Sequence, residues 1–235
     1  GTRAGTRRIA DINGGPSDTA LDHFVALNDQ VLFVVVDELH GAELWISDAT
    51  ANGTRMLRDI RNGPESTRPP YVTSLRDEIY FQASDGVHGY ELWKSDGTLA
   101  GTAQVVDLFQ GETYEQYLGI LPNSSHPAGL VVFHDKVYFA ATTPGHGREL
   151  WKTDGTPAGT VMVRDLFPGS EPYDPYADNS SNPVGLSVFR DELYFAATSG
   201  IEGRGLWKTD GTSTGTTLLR GLRQGLSTPS TLTVA

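Results

Sequence analysis

Short apolar runs alternate with polar punctuation along the whole chain. Between Leu130 and Leu166 they read LVVFHD, KVYFAAT, RELWKT and TVMVRDL. Each run is rich in β-branched and aromatic residues and is bounded by Gly, Asp, Asn or Pro, so each predicts a strand. Helical spacing is not sustained anywhere. A run such as Val137-Tyr138-Phe139-Ala140-Ala141 is apolar at both alternating sets of positions. Such a strand is covered on both faces of its sheet.

The same succession of runs occurs four times, at residues 23–60, 71–108, 130–166 and 186–222. The chain's four tryptophans, Trp45, Trp93, Trp151 and Trp207, fall on one repeat position. Asp48, Asp96, Asp154 and Asp210 fall on another, in the turn between the third and fourth runs. A carboxylate there can accept bonds from nearby backbone N–H groups, and the Gly after it tolerates positive φ. The first repeat has Ala49 at that Gly position, so either its turn differs or positive φ is not required there. Leu150 and Trp151 are adjacent in a strand and point to opposite faces, which gives each unit an apolar knob for each neighbour.

A single four-stranded unit cannot cover both of its faces, whereas a neighbour on each side can. The expected fold is therefore all-β, a β-propeller of four-stranded blades forming one domain over residues 1–235. A pair of β-sandwiches is the alternative arrangement of the same strands. Residues 1–12 read as the last third of a unit and residues 226–235 as the start of another. Four complete blades plus a split partial blade predict a five-bladed ring with an incomplete closing blade, or part of a larger propeller. The first residue is Gly1, which suggests a processed or excised piece.

The motifs ELWISDAT, ELWKSDGT, ELWKTDGT and GLWKTDGT carry a resemblance to the bacterial ELWxxDGT repeat proteins, and it covers essentially the whole chain. The resemblance implies secreted or surface-attached bacterial proteins with propeller-like repeats. It implies no catalytic activity, and no catalytic residue carries over.

Charge narrows the partners. The 235 residues carry a formal net charge of -11, which argues against nucleic acid and against an anionic membrane surface. No apolar run is long enough to span a membrane as a helix. The sequence contains no Cys, which removes disulfides and thiol chemistry.

Candidate chemistry lies in the unequal connections between repeats. The two long ones carry Tyr114 and Tyr117, and Tyr173 and Tyr176, each pair followed by an Asn-Ser-Ser at Asn123 or Asn179. Aromatic rings beside amides and acids suit sugars, with the ring against the C–H face and the polar groups on the hydroxyls. Alternatively, the tyrosines pack the loops onto the blades. Glu171, Asp174 and Asp178 are closely spaced oxygen ligands that could hold calcium, although they lack the EF-hand pattern. No other cofactor is expected. His40, His88 and His146 each stand three residues before Glu43, Glu91 and Glu149, while the fourth repeat has Glu202 and Gly205. This pattern could ligate zinc or could cap loops through hydrogen bonds, and the latter is the favoured reading. Asn52, Asn123 and Asn179 also match the glycosylation acceptor pattern, which has meaning only in a glycosylating host.

Three functions fit these features. The first is an extracellular or cell-surface binding or adhesion module, directed to a glycan or a surface protein. The second is a scaffold propeller that assembles with further repeats. The third is a propeller glycosidase or lyase, which would need two carboxylates facing one cleft; no such pair or nucleophilic constellation stands out from the repeat-locked acids.

Overall fold

The computed structural model describes residues 6–12, 20–63, 71–115, 117–169, 179–200 and 202–221. The described residues contain strands and turns and no helix. The first sheet is β1 (Ala20–Leu27), β2 (Gln30–Asp37), β3 (Gly41–Ser47) and β4 (Arg55–Arg58). The second is β5 (Val72–Leu75), β6 (Glu78–Ser84), β7 (Tyr90–Ser95) and β8 (Ala103–Val106). A two-stranded hairpin follows, β9 (Glu112–Glu115) with β10 (Gly119–Pro122). The third sheet is β11 (Ala128–Phe133), β12 (Lys136–Thr143), β13 (Gly147–Thr153) and β14 (Val161–Arg164). The fourth is β15 (Val184–Phe189), β16 (Glu192–Ser199), β17 (Gly203–Thr209) and β18 (Thr217–Gly221).

Each four-stranded sheet is an antiparallel meander with its strands in chain order. The first strands of successive sheets touch one another, β1 with β5, β5 with β11 and β11 with β15. The architecture is thus all-β and propeller-like, as the strand pattern predicts.

Register explains the fixed Trp. It sits opposite a Phe of the second strand in every sheet, as Phe33 with Trp45, Phe81 with Trp93, Phe139 with Trp151 and Phe195 with Trp207. The pairing of the third and fourth strands shifts at each Leu-Trp step. This bulge leaves one extra residue on the fourth strand. In the first three sheets that residue is Leu57, Val105 or Val163, each buried.

The core is divided among the spaces between sheets. One cluster joins Leu32, Leu44 and Leu57 of the first sheet to Ile79, Phe81 and Trp93 of the second. Another joins Leu75, Tyr80 and Leu92 to Val137, Phe139 and Ala141, with Trp151 packed against it. The last joins Phe133, Tyr138 and Leu150 to Leu193, Phe195 and Trp207. In the first three motifs the Leu therefore faces the following sheet, and in the last three the Trp faces the preceding one, as strand alternation requires.

Two sequence expectations are modified. The connection after the second repeat is no plain loop, because residues 112–122 pair as the β9–β10 hairpin. Residues 6–12, expected to form a fourth strand, form no strand. They line an apolar cavity of about 440 Å³ against Leu21, Phe24, Val31 and Phe33 of the first sheet. Residues 226–235 lie outside the described residues.

Candidate functional site

The repeated turn is closed by its own side chains. In the third sheet Asp154 accepts the backbone N–H of Thr156 at 3.0 Å and its hydroxyl at 2.7 Å. The Thr156 hydroxyl accepts the N–H of Gly159, and the Thr160 hydroxyl donates to the Thr156 carbonyl. The same set recurs around Asp48, Asp96 and Asp210. The Thr hydroxyl and N–H hold all four carboxyls below the ordinary Asp range. Gly159 is required because a Cβ there would lie 2.0 Å from the Asp154 carboxylate. Ala49 adopts φ 67°, so the first turn matches the others and its Ala accepts the left-handed backbone.

The Glu of the second and third ELW motifs is a clasp between sheets. Glu91 is fully buried. It accepts the N–H of Leu108 at 3.2 Å, and from the entrance to the next sheet the N–H of Ser125 at 2.8 Å and its hydroxyl at 2.5 Å. Glu149 repeats this with Leu166 and Ser181. Burial pushes both carboxyls up to about 7, against the hydrogen bonds, which pull the other way. Glu43 accepts the N–H groups of Ile60 and Arg61. In the fourth sheet Gly205 replaces the Glu, and a Cβ there would run into Leu218 and the Arg220 carbonyl.

The histidines before these glutamates turn to other partners. His40 bonds Asp37, His88 bonds Asp85 and His146 bonds Asp165 through Nδ1. The Asp85 hydrogen bond raises the His88 pKa. The zinc reading has no geometric basis, since each His bonds an Asp while its Glu is buried in the clasp. Among the described residues no group of three metal-ligating side chains comes together.

The Asn-Ser-Ser segments belong to the same clasp. Asn123 accepts the Thr113 hydroxyl and donates to the Gln110 carbonyl, and Asn179 donates to the Pro168 carbonyl. Both amides therefore close the bases of their own connections. Ser124 and Ser180 accept the N–H of Tyr90 and Arg148 at 2.9 Å. Ser125 and Ser181 then meet the Glu.

What the clasp leaves open is a cleft of about 590 Å³ between the β6–β7 loop and the β9–β10 hairpin. Its walls mix the apolar Ile120 and Leu121 with Thr113, Glu115, Ser124 and Arg61. Tyr90 and His126, both lining it, stack with ring centroids 5.6 Å apart. Burial, with Arg148 nearby, lowers the His126 pKa, which favours neutral imidazole. Tyr114 pairs across the hairpin with Ile120, which lines the cleft, while Tyr114 and Tyr117 themselves are not among the lining residues. Tyr114 is 71% exposed and Tyr117 is 91% exposed. These two tyrosines do not pack the connection onto the sheets. Tyr173, Tyr176, Glu171, Asp174 and Asp178 lie outside the described residues. Arg61, Tyr90 and His126 were not singled out by the sequence, because two of them come from separate connections and Tyr90 from the start of β7, and only the fold brings them together.

No family model matches the chain, and no curated protein matches it. Solved structures do. A puromycin hydrolase S511A mutant complexed with PGG is 15% identical with a TM-score of 0.52, over 87% of this chain and 29% of that one. A structure from a study of two prolyl endopeptidases is 13% identical with a TM-score of 0.50, over 85% of this chain and 26% of that one. The chain thus spans less than a third of the length of either protein. At this identity the likeness is one of fold, and it supports the propeller-like arrangement.

Proposed function

We propose that the chain is a non-catalytic binding module of the ELWxxDGT repeat type, secreted or displayed on a bacterial surface, whose ligand is a glycan. The observation that carries this reading is the exposed pair Tyr114 and Tyr117 on a hairpin beside a cleft of mixed polarity. Exposed rings can cover the C–H face of a sugar, and Thr113, Glu115, Ser124 and Arg61 offer both donors and acceptors to hydroxyls. The ELW and DGT motifs support membership of the repeat group. The four sheets are read as consecutive blades of a larger propeller.

A binding role is favoured over glycoside hydrolysis by the fate of the carboxylates. The repeated Asp and Glu side chains are engaged in turns and clasps, and among the described lining residues Glu115 is the one carboxylate facing the cleft. Glycosidase chemistry generally needs a facing pair. The test is a glycan array probed with the wild-type chain and with Tyr114→Ala/Tyr117→Ala. Specific signals that vanish in the double variant, with its melting curve unchanged, support the reading; signals that persist in the double variant refute it.

A further inference from the structure

The second and third spaces between sheets seat a turn glycine against a tyrosine hydroxyl, whereas the first has Leu32 and Ile46 in place of the tyrosine and lysine; the fourth sheet repeats the tyrosine half of this socket with no sheet opposite among the described residues. On the side facing its follower, the second sheet presents Tyr80, whose hydroxyl donates to Glu78 at 2.6 Å, while Lys94 donates to Glu78 at 2.8 Å. Against this group sits the turn glycine of the third sheet, so closely that a Cβ on Gly155 would lie 2.3 Å from the Tyr80 hydroxyl. The third sheet receives Gly211 in the same way: a Cβ there would lie 2.2 Å from the Tyr138 hydroxyl, and Lys152 donates to the Gly211 carbonyl at 2.7 Å. In the first and third sheets strand four adds an arginine to the contact, where the second has Val106. Arg58 and Arg164 reach across to the carbonyls of Thr102 and Thr216.

The fourth sheet carries each of these groups on its outer face. Tyr194 donates to Glu192 at 2.8 Å and Lys208 donates to Glu192 at 2.5 Å, the arrangement that meets Gly155 in the second sheet. Arg220 holds the place of Arg58 and Arg164, opposite Leu206 as they are opposite Leu44 and Leu150. Phe189 and Leu219 are exposed, whereas their counterparts Phe133 and Val163 are buried against the next sheet. Tyr80 and Tyr138 are buried, but Tyr194 is only half-buried.

We propose that this face is a docking surface for a further blade of the same repeat type, seated through the glycine of an Asp-Gly-Thr turn. The established interfaces define the occupant: a glycine with positive φ against the Tyr194 hydroxyl, and a turn carbonyl for Lys208 or Arg220. The chain's own first sheet does not meet this description. Its turn carries Ala49, whose methyl would meet Tyr194 as a Cβ on Gly155 would meet Tyr80. Ring closure onto the first sheet, or head-to-tail docking of a second copy, is thereby disfavoured. Gly205 leaves this interface without a Glu clasp, so the docking rests on the turn socket and the apolar pair. The proposal rests on the reading of the four sheets as blades of a larger propeller and is independent of the glycan reading.

The test extends the chain after Gly221 with a second copy of residues 165–221, followed by the native tail. The expected result is a melting temperature at least about 5 °C above that of the wild type, one cooperative transition, and resistance of the added segment to protease. Gly211→Ala in the added copy alone should remove most of that gain, because its methyl would strike Tyr194. A melting temperature that does not rise, or a gain indifferent to Gly211→Ala in the added copy, would overturn the proposal. So would a wild-type dimer in sedimentation velocity that Tyr194→Glu abolishes, since the occupant would then be a second copy.

Discussion

Ser125 gives both its backbone N–H and its hydroxyl to Glu91, 34 residues earlier in the chain and in the preceding sheet. Ser181 does the same to Glu149. These bonds tie the start of one sheet to the third strand of the one before it, in the seam where a buried carboxylate would otherwise be costly. Ser125→Ala removes the hydroxyl and leaves the carboxylate two N–H donors. It should destabilise the protein by about 1–2 kcal/mol, measured as a lower urea midpoint with an unchanged slope.

The same carboxyls set a pH dependence. Their ordinary pKa of 4.5 is raised to about 7 by burial. Between these values the folded protein binds more protons than the unfolded chain, so stability falls as pH rises. The contribution is complete below about 4.5 and is lost as pH passes about 7. The turn aspartates act oppositely: their lowered pKa gives stability above the ordinary Asp value of 3.8 that is lost on further acidification. Melting temperature should therefore peak in weakly acidic solution and decline towards pH 8. Glu91→Gln should flatten the decline on the alkaline side; an unaltered slope would show that Glu91 does not cause it.

The turn glycines separate steric from backbone demands. Gly159 has an ordinary φ but no space for a Cβ beside Asp154, whereas Gly145 has φ 82° and nothing within 4 Å. Gly159→Ala should cost roughly 2–4 kcal/mol, because the Asp154 bonds must break or the turn must shift. Gly145→Ala should cost only about 1 kcal/mol, the left-handed backbone penalty. Thermal melts of the two variants give the comparison.

Ala49 makes the converse case. Its φ of 67° is one that glycine adopts without strain. Ala49→Gly should raise stability by about 0.5 kcal/mol, the relieved strain partly offset by the greater freedom of glycine in the unfolded chain. A drop in melting temperature would mean that the Ala49 methyl makes a contact worth more than the strain.

The architecture was legible in the sequence because it is repeated. Four Trp at one register position, alternating Leu and Trp, and a fixed Asp turn each correspond to an observed relationship between neighbouring sheets. The clasp was half legible. The Glu and the Asn-Ser-Ser were both visible, but Glu91 and Ser125 are joined across sheets, and local spacing carries no record of that pairing. The Asn side chains, read as ligand groups, close the loop bases, and Asn123 also lines the cleft. The hairpin was missed for a related reason: Glu112–Glu115 has no apolar face to bury, so it lacks the alternation that marks the core strands. The cleft was least legible, since its Arg61 and His126 sit in different connections, its Tyr90 opens β7, and the three share no motif.

The central claim is that the repeated motifs build the protein while the hairpin tyrosines carry the binding. The most direct measurement is glycan-array binding and urea unfolding on the same two variants, Tyr114→Ala/Tyr117→Ala and Ser125→Ala. The account predicts that the tyrosine variant loses binding and keeps its stability to within about 0.5 kcal/mol, and that Ser125→Ala loses stability and keeps binding while folded. A blank array with folded wild-type protein, or tyrosine variants that unfold, would contradict it.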